Sequence, residues 1–152
     1  MEDAGIYARE ATYLDRYVQF GHASGKLLSV SFPTEPDDNA EPEHPLLDRI
    51  GAYLEGASDD FDDVEVALTL PTDRRGVLES LRQVPYGENV TVAELARMTA
   101  GLVDGEADDH QLVREALAAN PAPLVVGDHR VRDGPSAAPP EVEQRLRSLE
   151  GL

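Results

Sequence analysis

The chain has no cysteine, and that absence removes more chemistry than any single residue supplies. Without a thiol there is no disulfide, no thiolate-bound metal and no cysteine nucleophile. Lysine is almost missing as well. Lys26 stands alone beside twelve arginines, against 30 acidic residues and a formal charge of -17. Affinity for nucleic acid ordinarily draws on phosphate neutralisation by Lys and Arg, so this balance weighs against ordinary nucleic-acid binding. No apolar run approaches the roughly 18 residues of a membrane span, and the acidic N-terminus has no signal-like apolar stretch. A soluble, cytoplasmic protein is expected.

A chain of 152 residues accommodates one domain or two small lobes, and its 41% hydrophobic content predicts a folded core. The acids are dispersed: residues 1–70 carry 16 acids and 4 bases, residues 71–152 carry 14 and 9. The favoured explanation is a salt-adapted cytoplasm, as in a halophile, where charge keeps the protein soluble and monomeric and salt screens the repulsion. The competing one is a surface for a basic partner. The relative recovery of bases in the second half leaves room for a local DNA footprint.

Periodicity divides the chain the same way. Residues 1–34 read as strands, with 13–20 and 27–32 forming a hairpin whose turn draws on Gly21 and Gly25. An acidic loop with Pro36 and Pro42 follows. Leu46, Leu47, Ile50, Tyr53 and Leu54 then recur at helical spacing up to Gly56, and residues 64–70 alternate as a strand. The second half is mostly helical, with a helix predicted over 75–83. Thr91 and Glu94 form a capping box for the next helix, whose buried side is Val92, Leu95 and Ala96, with Met98 as a further candidate. Beyond an acidic connector over 101–109, another helix runs over 109–120, and 124–126 reads as a short strand. The last helix follows Pro139 and Pro140 and bears Val142, Leu146 and Leu149. The fold class is α/β: a small antiparallel-sheet lobe over 1–70, then a mostly helical lobe over 71–152. The two helices around the connector suggest a helix-turn-helix, a weak signal because the connector is long.

One stretch, Asn120-Pro-Ala-Pro-Leu-Val-Val-Gly-Asp-His-Arg-Val131, resembles the Asn-Pro-x-x-x-x-x-Pro-Cys-His-Arg-Val segment of the O6-alkylguanine-DNA alkyltransferases. Gly127 and Asp128 stand where that family has Pro-Cys. His44-Pro-Leu-Leu47, Asp60-Phe-Asp62, Pro85-Tyr-Gly-Glu88, Val90-Thr91 and Glu94-Leu-Ala96 match other family elements in order. The resemblance implies an RNase H-like first lobe and a second lobe with a winged or helix-turn-helix-like DNA-binding unit. In active members a cysteine thiolate attacks the alkyl group of a guanine flipped out of duplex DNA, assisted by a histidine, a water and a glutamate. His129 and Glu150 match the histidine and glutamate, and Asn120 the asparagine that braces the turn.

Several departures accompany the lost cysteine. By resemblance, Gln111 replaces the arginine finger, Arg114 the glycine after it, and Val92 the tyrosine that lies against the flipped nucleotide. Asp73 stands where an aromatic residue is frequent, and the pocket-closing loop shrinks to 132–140 without its tyrosine. Base flipping costs a few kcal/mol, which an inserted side chain and a fitted pocket must offset. The DNA-contact candidates are Gln111, Arg114, Arg130, Arg132, Thr91 and Val92. Asp128, His129, Asn120 and Glu150 form a degenerate site, with Asp128 read as structural, as a retained ligand site or as a carboxylate nucleophile. Tyr86 reads as packing against a turn. Asp128, His129 and His110 carry no recognisable ligand framework, so neither metal nor cofactor is expected.

Three functions follow. The favoured one is a non-catalytic member that weakly senses O6-alkylguanine or distorted double-stranded DNA and flags it for repair proteins. The second is a protein-binding or regulatory module on the same scaffold. The third is a slow dealkylating enzyme that uses Asp128.

Overall fold

Short-range alternation and one tight turn build the sheet. In the computed structural model, which describes residues 4–103 and 105–152, β1 (Gly5–Ala11), β2 (Arg16–Ala23) and β3 (Lys26–Ser31) pair antiparallel in the order β1-β2-β3. Ser24 and Gly25 both take positive φ, 55° and 79°, the left-handed pair that a two-residue hairpin turn demands. The turn is therefore shorter than the expected six residues. Gly25 supplies its geometry, whereas Gly21 lies inside β2 beside a register shift. The first expected strand starts late because residues 12–14 form a 3-10 turn closed by Asp15 in the left-handed region. Residues 1–3 of the expected strand region, and residue 104 of the acidic connector, lie outside the described residues.

The strand expected over 64–70 does not form. Leu27 N donates to Glu65 O and Ala67 N to Leu27 O, each at 2.8 Å, but the chain then turns on itself where Leu70 N bonds Leu68 O. A single bridge, Leu27 to Val66, is all that remains of the ladder. Alternation persuaded here because Val64, Val66, Leu68 and Leu70 do pack inward, although from a loop.

Helix α1 (Pro45–Leu54) starts with proline in its first turn and with His44 as N-cap, whose Nδ1 accepts from Leu46 N at 3.0 Å. Its apolar stripe, Leu46, Leu47, Ile50, Tyr53 and Leu54, joins Val18, Phe20 and Val30 of the sheet in one core. The second half contributes α2 (Thr72–Leu81), α3 (Val92–Met98), α4 (Ala107–Ala118) and α5 (Pro140–Glu150). Both hydrogen bonds of the predicted capping box at Thr91 and Glu94 are present, at 3.0 and 2.8 Å, whereas Met98, a candidate for the buried side of α3, is 42% exposed at its last turn. Thr91→Ala is expected to cost about 1 kcal/mol in a urea unfolding titration, the ordinary value of an N-cap.

Residues 124–126 do not form a strand either. Leu124 takes φ 80° and Val126 N bonds Ala122 O at 2.8 Å, so the segment coils inside the core. The same hydrophobic cluster runs from the sheet through all four C-terminal helices. Among the described residues no helix is long and apolar enough to cross a membrane.

Candidate functional site

Asn120 follows the last turn of α4 and organises what comes next. Its Oδ1 accepts from Ala122 N at 3.0 Å, while its Nδ2 donates to Val126 O at 2.9 Å and to Asp128 Oδ2 at 3.0 Å. The chain is thereby folded back into a single 3-10 turn, Asp128–Arg130. Asp128 is 1% exposed. Besides Asn120, Ser136 Oγ donates to its Oδ1 at 2.6 Å and Ala137 N to its Oδ2 at 2.9 Å. Both carboxylate oxygens are therefore occupied, and two of the three donors come from the shortened loop.

That loop is packed down as well as tied down. Asp133 Oδ1 accepts from Val92 N at 2.7 Å. A Cβ on Gly134 would lie 2.7 Å from Leu117 Cδ1 and 3.0 Å from Val131 Cγ1, so this glycine permits a close approach no side chain could share. Burial pushes the Asp128 carboxyl upward, and the donors from Ser136, Ala137 and Asn120 pull it back only in part.

A second network lies behind the turn. Glu150, the last residue of α5, has a fully buried side chain. Arg130 grips it from two nitrogens, Nε and Nη2, each at 2.9 Å. His129 Nε2 lies 2.7 Å from Oε2, and Gly87 N donates to Oε1 at 2.9 Å. The Tyr53 hydroxyl, from α1, donates to Oε2. Burial alone would raise this carboxyl, but the hydrogen bonds from His129 and Arg130 outweigh it and hold the group well below the usual carboxylate range. Arg130 Nη1 also donates to Val84 O at 3.0 Å, and Arg147 ties down the carbonyls of His129 and Val131 at 3.0 and 2.9 Å. Tyr86 packs edge-on against Tyr53, ring centroids 5.9 Å apart.

The sequence-level candidates thus separate into three sets. Asn120, Asp128, His129 and Glu150 are brought together, but as two bonded clusters with no open face. Arg130 and Val92, expected at a DNA surface, are 2% and 1% exposed. Arg130 is drawn inward because a buried carboxylate needs a bidentate cation, and Val92 because it fills the buried side of α3. Both expectations are corrected. Thr91 is committed to its cap. Gln111, Arg114 and Arg132 remain outside. Gln111 Nε2 donates to Glu115 Oε2 at 3.3 Å, Arg132 Nη1 to Asn89 Oδ1 at 2.7 Å, and the Arg114 guanidinium has no hydrogen bond or ion pair among the described residues. Among the described residues, no three His, Asp or Glu side chains converge as metal ligands. Sequence reasoning missed Tyr53 and Gly87. Tyr53 was legible as core, but nothing local announced a hydroxyl partner 97 residues away.

Residues 73–148 match the family model described as 6-O-methylguanine DNA methyltransferase, DNA binding domain. The chain is 34% identical over 109 residues to the methylated-DNA–protein-cysteine methyltransferase of Methanopyrus kandleri, covering 69% of this chain and 77% of that protein. The chain belongs to this methyltransferase family. A second family member, from Methanothermobacter thermautotrophicus, is 32% identical over 70% of this chain and 60% of its own length. The fold is that of the Mycobacterium tuberculosis O6-methylguanine methyltransferase, with a TM-score of 0.72 at 19% identity over 97% of this chain and 91% of the other. A structure of the M. tuberculosis protein in complex with DNA superposes with a TM-score of 0.70 at 21% identity, with the same coverage. The present chain has no cysteine, so thiol-dependent alkyl transfer is not possible for it.

Proposed function

We propose that this chain is a non-catalytic alkyltransferase-like protein that docks on double-stranded DNA through its α3–α4 pair and transfers no alkyl group. One observation carries the proposal. The carboxylate at the cysteine position is buried and bonded on both oxygens, while α4 keeps Gln111 and Arg114 exposed. The description of the matched family model as a DNA-binding domain, and the relative in complex with DNA, support the DNA half. In this proposal the first lobe, 1–70, is RNase H-like. The second, 71–152, holds a helix-turn-helix-like unit in which α4 faces DNA, with Gln111, Arg114 and Arg132 as its contacts. Slow dealkylation by Asp128 is disfavoured, because a nucleophile must reach its substrate and this carboxylate is 1% exposed.

With a formal charge of -17, docking is expected to be weak and to rest on few phosphate contacts. The test is fluorescence anisotropy with duplexes carrying or lacking O6-methylguanine, over a series of salt concentrations. Arg114→Ala is expected to weaken binding to both duplexes alike and to lower the salt slope by about one. A preference for the methylated duplex identifies a lesion sensor. Absence of duplex binding at every salt concentration would refute the proposal.

A further inference from the structure

Between the turn that links β1 to β2 and helix α1 lies a cleft of about 150 Å³. Its floor is apolar, lined by Val18, Leu47, Ile50 and Leu54. The Tyr13 ring, 38% exposed, stands at the mouth. Tyr13 is fixed there by a reciprocal pair of 2.8 Å hydrogen bonds, its hydroxyl to Arg145 O and Arg145 Nη1 to its own carbonyl. Gly51 forms part of the α1 wall, and a Cβ at that position would meet nothing within 4 Å. A mid-helix glycine costs about 1 kcal/mol relative to alanine. Here it leaves open a space that any side chain would begin to fill.

The charge of the cleft is one-sided. Glu10 and Glu55 line it, are exposed, and their carboxylates make no hydrogen bond or ion pair among the described residues. Arg9 also lines it, but its guanidinium is held by Asp48 Oδ1 at 2.9 Å and Pro42 O at 2.8 Å. Two unneutralised carboxylates therefore flank a slot sized for one large apolar side chain. They stand on the lobe whose residues 1–70 carry 16 acids against 4 bases. Carboxylates so placed repel phosphate and attract ammonium or guanidinium.

We propose that this cleft is a docking site for a partner protein's peptide segment, one that inserts a leucine or phenylalanine and flanks it with lysine or arginine. Apolar anchoring in a preformed slot with charge matching at its rim is the usual economy of such contacts. The site lies on the first lobe and does not depend on DNA docking by α4.

The probe is the capped peptide Gly-Arg-Lys-Leu-Phe-Lys-Arg-Gly, titrated into the 152-residue chain at physiological salt and followed by amide NMR. Two controls accompany it: Ser-Ser in place of Leu-Phe, and glutamine in place of every base. Shifts are expected to centre on Ala11, Tyr13, Gly51 and Glu55, with both controls weaker. Gly51→Leu, which favours helix and fills the slot, is expected to weaken binding about tenfold or more. The double variant Glu10→Gln/Glu55→Gln should weaken it several-fold. Equal binding of the Ser-Ser peptide, binding unmoved by Gly51→Leu, or no shifts at millimolar peptide would each overturn the proposal. Should Gly51→Leu fail to fold, the location of the wild-type shifts decides alone.

Discussion

Replacing Glu150 with alanine is expected to lower folding stability by about 3–5 kcal/mol, the cost of stranding the other half of a buried ion pair. The Arg130 guanidinium has no route to water: its side chain is 3% exposed, and two of its nitrogens rest on Glu150. Tyr53 OH, Gly87 N and His129 Nε2 would lose their acceptor in the same step. Because Tyr53 lies on α1 and Glu150 ends α5, the damage should reach both halves of the chain, visible as a single lowered urea midpoint. The sign of the pH dependence follows from the depressed carboxyl. Its contribution is fully present above its unfolded value of 4.5 and is lost as pH falls through the lower folded value. Glu150→Ala should therefore flatten the acid limb of the stability curve. A variant within about 1 kcal/mol of wild type would show that water reaches Arg130 after all.

Asp128→Ala is expected to cost about 1–3 kcal/mol, because it removes the acceptor of the half-buried Ser136 hydroxyl and Ala137 N–H and one of the two acceptors of the buried Asn120 amide. The loss should be local, with amide hydrogen exchange rising over residues 132–140 before it rises in α1. Here the pH dependence has the opposite sign. A folded pKa raised above the unfolded 3.8 contributes stability that is complete below 3.8 and is lost as pH rises through the folded value. Asp128→Asn cannot titrate and should lack that decline. A fully stable alanine variant would mean that the penalty of burying the carboxylate cancels its hydrogen bonds.

Much of this was legible from local rules. The capping box at Thr91, proline at the start of α5, and the apolar stripes of the helices all act within a few residues, and the helices formed accordingly. Asn120 was also readable, since an asparagine between a helix end and a proline has only nearby backbone to satisfy. What escaped was set by distant partners. Val64 to Leu70 alternate like a strand, but only Leu27 offers them a ladder. Arg130 reads as a surface base until Glu150 is placed behind it, and Val92 as a ligand position until Leu117 and Gly134 close over it. In the same way, the loss of the cysteine was plain from the sequence, whereas the use of its replacement as a clasp for residues 132–140 needed the structure.

The most direct test of that clasp is chemical. The purified chain is incubated with duplex DNA bearing radiolabelled O6-methylguanine, then denatured and separated from the DNA. With no thiol in the chain and Asp128 enclosed on both oxygens, the polypeptide should carry no label and the lesion should remain in the duplex. A stoichiometrically labelled polypeptide, with the label mapped to Asp128, would contradict it.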